Sequence, residues 1–117
     1  MTININDYSS LKDVVVQVDE TNLMYYYDIP ILYYQVVDNE YFMFCYNDID
    51  EDGNLKYAVS KTTKEIIDSV ASNKTYVRKP FDDDYVIVFI DFDDKIVEIK
   101  ESSPVDVLPF KNVYLRP

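Results

Sequence analysis

The stretch that decides the fold reads Ile31-Leu32-Tyr33-Tyr34-Gln35-Val36-Val37-Asp38-Asn39-Glu40-Tyr41-Phe42-Met43-Phe44-Cys45-Tyr46. Its two ends are rich in β-branched and aromatic side chains, which favour strands. Between them, Asp38-Asn39-Glu40 has the composition of a compact turn. Two such runs around a short turn predict a β-hairpin. The hairpin in turn indicates an antiparallel sheet, around which the rest of the chain is organised.

Further strands are predicted on both sides of this hairpin, at residues 14–18, 23–27, 55–60, 85–92 and 95–100. The stretch Asp28-Ile29-Pro30 is expected to interrupt the strand at 23–27 before the hairpin begins. Proline has no backbone N–H, so it cannot donate a hydrogen bond to a neighbouring strand. In the last strand, Val97 and Ile99 are expected to share one face. That strand is half polar, so it is expected at the periphery of the sheet.

One helix is predicted near residues 62–72. Thr62 stands three residues before Glu65, which is the spacing of a capping box, and Asn73 is suited to end the helix. Apolar residues recur at helical spacing at Ile66, Ile67, Val70 and Ala71. The helix is short and needs a sheet to pack on.

These elements predict an α+β fold: one domain over residues 1–117, with an antiparallel sheet of about five to seven strands and one main helix. A single helix can cover only one face of a sheet. Aromatic side chains alternate onto both faces of residues 25–46, so a tyrosine-rich face is expected to stay exposed or to be covered by a partner. A homodimer through that face is one such arrangement.

The charge of the chain restricts its partners. There are 22 acidic and 11 basic residues, and the formal net charge is -11. Binding to nucleic acids or to anionic membranes rests on Lys and Arg, so we expect neither. A basic protein surface is the remaining electrostatic partner, and the alternative is that the charge serves solubility alone. The N-terminus has no signal-peptide pattern, and a lone cysteine fits a reducing compartment, so the cytoplasm is the expected location.

Composition also argues against an enzyme. The chain has no His, a single Gly and a single Cys, which excludes a zinc site, a Cys–His nucleophile and a glycine-rich phosphate loop. Cys45 lies in an apolar run and is expected to be a small buried side chain. We therefore expect no catalytic residues, no metal and no cofactor.

Clustered carboxylates are the remaining candidates for a functional site. The residues from Asp48 to Val59 begin like a calcium-binding loop, but Val59 occupies the position of the essential Glu, so an acidic turn is the better interpretation. The other clusters flank the strand at 85–92 and are expected at its opposite ends. The candidate partner-binding residues are Asp82, Asp83, Asp84, Asp93, Asp94, Asp50, Glu51 and Asp52.

The order of several short motifs resembles a family of small bacterial α+β domains of unknown function. The matching residues are Tyr27-Asp28-Ile29-Pro30-Ile31-Leu32, Tyr41-Phe42, Asp50-Glu51-Asp52, the helix at 62–72, the strand at 85–91 and Leu108-Pro109. The resemblance covers roughly residues 25–115, carries no catalytic residues, and implies that residues 1–22 are an N-terminal addition. In size and charge the chain is also similar to small acidic phage proteins that inhibit host defence nucleases by mimicking DNA.

The leading hypothesis is a non-enzymatic, acidic protein-binding module, such as an inhibitor of a basic nucleic-acid-processing partner. Two alternatives stay open. One is a small-ligand-binding or sensor domain with a tyrosine-lined pocket. The other is a metal-dependent enzyme that uses clustered Asp residues.

Overall fold

The computed structural model describes residues 5–82, 84–101 and 113–116, without the side chains of residues 5 and 6. The described strands are β1 (Leu23–Tyr27), β2 (Ile29–Val37), β3 (Glu40–Ile49), β4 (Leu55–Thr62), β5 (Val86–Ile90) and β6 (Ile96–Glu101). One α-helix, α1 (Lys64–Ala71), follows β4, and two 3-10 helices span Ile5–Leu11 and Lys79–Phe81.

The described strands form one sheet in the order β1-β2-β3-β4-β5-β6, and every neighbouring pair is antiparallel. Strands that follow each other in sequence are therefore neighbours in space. The connection from β4 to β5 carries α1, yet β5 still returns beside β4. This arrangement confirms the α+β class, the antiparallel sheet and the predicted range of strand number.

The predicted hairpin forms β2 and β3, the second and third strands of the sheet. Asp38 and Asn39 form its turn with φ angles of 52° and 66°, and Val37 pairs with Glu40. Two consecutive positive φ values make a type I′ turn, whose twist matches that of the flanking strands. Pro30 lies inside β2 rather than interrupting it. Strand β3 pairs with β2 only from Leu32 onward. The missing N–H of Pro30 therefore costs no hydrogen bond between β2 and β3.

The helix is shorter than predicted and begins one residue later than the capping box placed it. Thr62 is still paired with Tyr41 as the last residue of β4, so the N-cap is Thr63. The Thr63 hydroxyl accepts a hydrogen bond from Ile66 N at 3.2 Å. At the other end, Asn73 adopts a left-handed conformation with φ 60°, which is the helix ending that the sequence predicts.

Each face of the sheet has its own buried cluster. On one face, Ile67 and Val70 of α1 pack with Met43, Cys45 and other residues of the sheet. On the other face, the cover comes from the N-terminal segment. Tyr8, Leu11 and Val16 are at most 7% exposed and pack against the sheet. The expectation that one face would stay open is therefore wrong for most of the sheet, because residues 5–18 fill it.

That N-terminal segment is not the strand predicted at residues 14–18. Val15 makes a single isolated bridge to Lys95, and the neighbouring residues run along the sheet without forming a ladder. The prediction that residues 1–22 are an N-terminal addition came from the resemblance alone. In the folded chain, the described part of that segment lies against the sheet as one of its two layers.

The last strand lies at the edge of the sheet, as predicted, but its face assignment is wrong. The pairing of β5 with β6 shifts between Phe89 and Ile90. This irregularity places Val97 against the α1 side and Ile99 against the side of the N-terminal segment. A β-bulge of this kind inserts one residue and so changes the alternation of side chains.

Candidate functional site

The loop between β3 and β4 is an acidic turn built around Asp50. One carboxylate oxygen of Asp50 accepts hydrogen bonds from Asp52 N at 2.9 Å and from Asn54 N at 2.8 Å. Gly53 follows with φ 85°, a conformation that glycine adopts without strain. The Asp50 carboxylate therefore holds the loop, while the side chains of Glu51 and Asp52 stay exposed to solvent.

The loop between β5 and β6 repeats this geometry. One carboxylate oxygen of Asp91 accepts from Asp93 N at 2.9 Å and from Lys95 N at 3.0 Å. Asp94 takes the place of the glycine, with φ 62°. Asp and Asn tolerate this region better than most other residues. Asp93 and Asp94 are exposed.

The two loops lie side by side because β4 and β5 are neighbours in the sheet, with Leu55 paired to Ile90. Phe92 leans across to Gly53, where a Cβ would stand 3.0 Å from the Phe92 ring. Phe92 is nevertheless 85% exposed, the largest value among the exposed large hydrophobic side chains of the described residues. An exposed phenyl ring thus stands between two acidic turns. We call this surface, formed by residues 50–54 and 91–95, the acidic loop pair.

The same end of the sheet carries further carboxylates, and Lys95 is one of its described cations. Asp28 and Asp48, both exposed, come from the β1–β2 turn and the end of β3. Lys95 is paired with Asp13 at 3.7 Å, a partly exposed ion pair. The predicted residues Asp50, Glu51, Asp52, Asp93 and Asp94 are therefore brought together at one end of the sheet.

The remaining predicted cluster lies at the opposite end of β5, as the sequence indicates. Asp84 is half-buried and accepts a hydrogen bond from the Tyr8 hydroxyl at 3.1 Å. Burial, and then the nearby charge of Asp84, raise the pKa of Tyr8 to about 12, although a hydrogen bond from Lys61 N opposes the shift. Asp82 is exposed, and Asp83 lies outside the described residues. Asp84 therefore helps to hold the N-terminal segment rather than standing free at the surface.

The tyrosines divide into buried and exposed sets. Tyr33 and Tyr57 are each 2% exposed, within the cluster beneath the N-terminal segment. Strand β1, at the edge of the sheet, carries Tyr25, Tyr26 and Tyr27, which are 41% to 69% exposed. Homodimerisation through a tyrosine-rich face stays a prediction, and in this structure it concerns the edge strand β1.

A cavity of about 210 Å³ lies beside the acidic loop pair, between the N-terminal segment and the sheet. Tyr33 and Tyr57 line it, and Asp94 stands at its exposed side. Burial raises the pKa of both phenols, and the charge of Asp94 adds to the effect. The sequence pointed to a tyrosine-lined pocket in general terms, but not to these residues.

Two features were missed or only partly anticipated. Phe92 was assigned to the strand at 85–92, although its position between Asp91 and Asp93 was a signal that it belongs to the turn. Cys45 is buried, as predicted, and burial raises the pKa of its thiol to about 12. Within the described ranges, no three His, Cys, Asp or Glu residues are placed to hold a metal ion.

No helix in the part of the chain that the structure describes is long and apolar enough to cross a membrane. Comparison of the chain with protein-family models, with curated proteins and with solved structures gave no match. The two resemblances noted in the sequence therefore stay predictions, and the acidic loop pair and the cavity beside it are the features from which a function can be inferred.

Proposed function

We propose that this protein is a non-enzymatic binding module that recognises a basic protein surface through the acidic loop pair. The observation that carries the proposal is the exposed phenyl ring of Phe92 between two acidic turns of the same geometry. An aromatic anchor surrounded by polar groups is the arrangement that dominates the energetics of many interfaces.

The geometry of the loops supports this use. In Asp50 and in Asp91, one carboxylate oxygen accepts hydrogen bonds from two backbone N–H groups. The loops are therefore held in one conformation before a partner binds. Preorganised contact groups lose less entropy on binding. The exposed carboxylates of Glu51, Asp52 and Asp93 are left to face the partner.

The net charge supports the same partner chemistry. A charge of -11 on a chain of 117 residues creates a field that speeds encounters with cationic surfaces. A protein that binds nucleic acid presents such a surface, since it uses Lys and Arg to neutralise phosphates. Inhibition of a basic nucleic-acid-processing enzyme is the specific form of the proposal.

The test compares two sets of charge-neutralising substitutions. The loop variant is Glu51→Gln, Asp52→Asn and Asp93→Asn, which spares both loop-holding carboxylates. The control variant is Glu20→Gln, Glu65→Gln and Glu101→Gln, which removes the same charge at exposed positions outside the loops. A partner is captured from host lysate at low salt, purified, and titrated with each variant and with Phe92→Ala.

The proposal expects the loop variant and Phe92→Ala to weaken binding more than the control variant does. It also expects the affinity to fall as salt rises to about 0.5 M, where screening acts over only a few ångströms. Three results would overturn the proposal: no captured partner at low salt, equal losses in the two charge variants, or an affinity indifferent to salt.

A further inference from the structure

The cavity beside the acidic loop pair is large enough for a small organic molecule. Val16 and Val18 of the N-terminal segment form one wall, while Leu55 and Ile90 of the sheet contribute to the other. Its volume of about 210 Å³ exceeds the roughly 150 Å³ of engineered apolar cavities that take up benzene. The apolar walls suit a short hydrocarbon chain.

The hydroxyl of Tyr33 is a polar group without a partner at this cavity. Tyr33 is 2% exposed, and no described residue forms a hydrogen bond with its hydroxyl. The neighbouring Tyr57 hydroxyl, in contrast, donates to the Pro30 carbonyl at 2.6 Å. Buried polar groups normally have partners. Within the described ranges, the one side-chain oxygen or nitrogen that is both sealed from solvent and without a partner belongs to Thr62. The Tyr33 hydroxyl is therefore not sealed, and it is open to a ligand in the cavity.

The electrostatics of the lining select the charge of that ligand. Asp94 supplies a carboxylate, and neither Lys nor Arg is among the described residues that line the cavity. Burial is the main cause of the raised pKa of the Tyr33 and Tyr57 phenols, and the Asp94 charge adds to it at both. Aromatic rings also attract cations at their faces. A positive group is therefore favoured, and an anion is disfavoured.

We propose that this cavity binds a primary ammonium carried on a short apolar stem. The ammonium lies toward the Asp94 carboxylate and the Tyr33 hydroxyl, both of which can accept its hydrogen bonds, and the stem lies against Val16 and Val18. The ammonium can come from a free small amine or from a lysine side chain of a partner. The inference does not depend on the proposed function, since a free amine fills the cavity without any partner protein.

The test is an NMR titration of the full chain, labelled with ¹⁵N, with three compounds. They are n-butylammonium, the neutral n-butanol of similar shape, and Nα-acetyl-lysine methylamide as a lysine side chain on a peptide backbone. We expect n-butylammonium to shift the amide resonances of Val16, Tyr33 and Asp94 saturably. A dissociation constant on the order of 1 mM is reasonable for a ligand of this size.

Two substitutions and a matched control connect the binding to the cavity. Asp94→Asn should weaken n-butylammonium about fivefold, the upper range for an exposed ion pair, and Asn tolerates the left-handed backbone at this position. Tyr33→Phe should also weaken binding, while leaving stability unchanged because the hydroxyl has no partner to lose. Asp28→Asn removes a charge from the same end of the molecule but outside the cavity lining and the acidic loop pair, and should leave the affinity unchanged.

The source of the ammonium follows from the third compound. Binding of n-butylammonium alone assigns the cavity to a free amine, and binding of the lysine derivative as well assigns it to a lysine side chain. The proposal is overturned if n-butylammonium causes no saturable shifts, if n-butanol binds equally well, or if Asp94→Asn and Asp28→Asn have the same effect. Because Tyr33→Phe reports on the cavity without altering charge, misfolding of one variant does not leave the question open.

Discussion

Leu11→Ala tests whether the N-terminal segment is a structural layer of the domain. Leu11 is 0% exposed and packs in the cluster between this segment and the sheet. Leu→Ala changes at buried positions cost about 2–5 kcal/mol, from lost burial and from the cavity left behind. We expect the free energy of unfolding to fall by about 3 kcal/mol, which lowers the melting temperature by roughly 12 °C for a chain of this length.

The matched control is Val15→Ala in the same segment. Val15 is 55% exposed, so its truncation should change stability by less than about 0.5 kcal/mol. Val16, at 7% exposure, provides a milder second test, and Val16→Ala should cost about 2 kcal/mol. Domains have about 5–15 kcal/mol of stability, so all three variants should still fold.

Urea unfolding followed by tyrosine fluorescence measures these differences, since the chain has 12 Tyr and no Trp. The expected result is a lower midpoint for Leu11→Ala and Val16→Ala with an unchanged slope, which indicates a change in stability rather than in the unfolding reaction. A loss below about 0.5 kcal/mol for Leu11→Ala, equal to that of Val15→Ala, would show that residues 5–18 are not part of the cooperative core.

Thr63→Ala should destabilise the protein by about 1 kcal/mol because it removes the helix cap. Thr62→Val should be neutral or stabilising, because the Thr62 hydroxyl is the one side-chain oxygen or nitrogen within the described ranges that is both sealed from solvent and without a partner; urea unfolding distinguishes the two. Asp50→Ala should cost about 1–2 kcal/mol by leaving two loop N–H groups without their acceptor, whereas Asp52→Ala should change stability little, and equal losses would contradict the loop geometry. Folding raises the pKa of the Cys45 thiol from 9.0 to about 12 through burial, so this contribution to stability is full below pH 9 and is lost as pH rises toward 12. A thiol reagent at pH 8 should therefore label Cys45 only through unfolding, and rapid labelling of the native protein would refute this.

The acidic loop pair shows how much of the site could be read from the sequence. The acidic residues at 50–52 and 93–94 were predicted as partner-binding candidates because their charges are clustered, and as turns because Asp favours turns. The sequence could not place the two turns together, since that depends on β4 and β5 being neighbours. The two turns are about 40 residues apart along the chain, and only the strand order of the sheet brings them close in space. The exposure of Phe92 follows from the same arrangement.

The cavity could not be predicted in the same way. Its lining comes from Val16 and Val18 in the N-terminal segment, from the sheet, and from Asp94 in a distant turn. No local pattern connects these residues. The path of residues 14–18 was itself wrongly predicted as a strand, because β-branched residues favour strands only where a partner edge is free to pair with them. Here residues 13–16 meet residues 94–96 only through one bridge, between Val15 and Lys95, and three backbone hydrogen bonds.

By itself the sequence determined the strands from the hairpin onward, the position of the compact turn at residues 38–40, the helix that follows β4, and the α+β class. Each depends on interactions between residues close in the chain, such as alternation, turn conformation and capping. The tertiary structure alone decided three things: the second layer over the sheet, the bulge that separates Val97 from Ile99, and the meeting of two acidic turns beside a cavity. These depend on contacts between residues far apart in sequence, whose free energy is gained only when the whole chain packs.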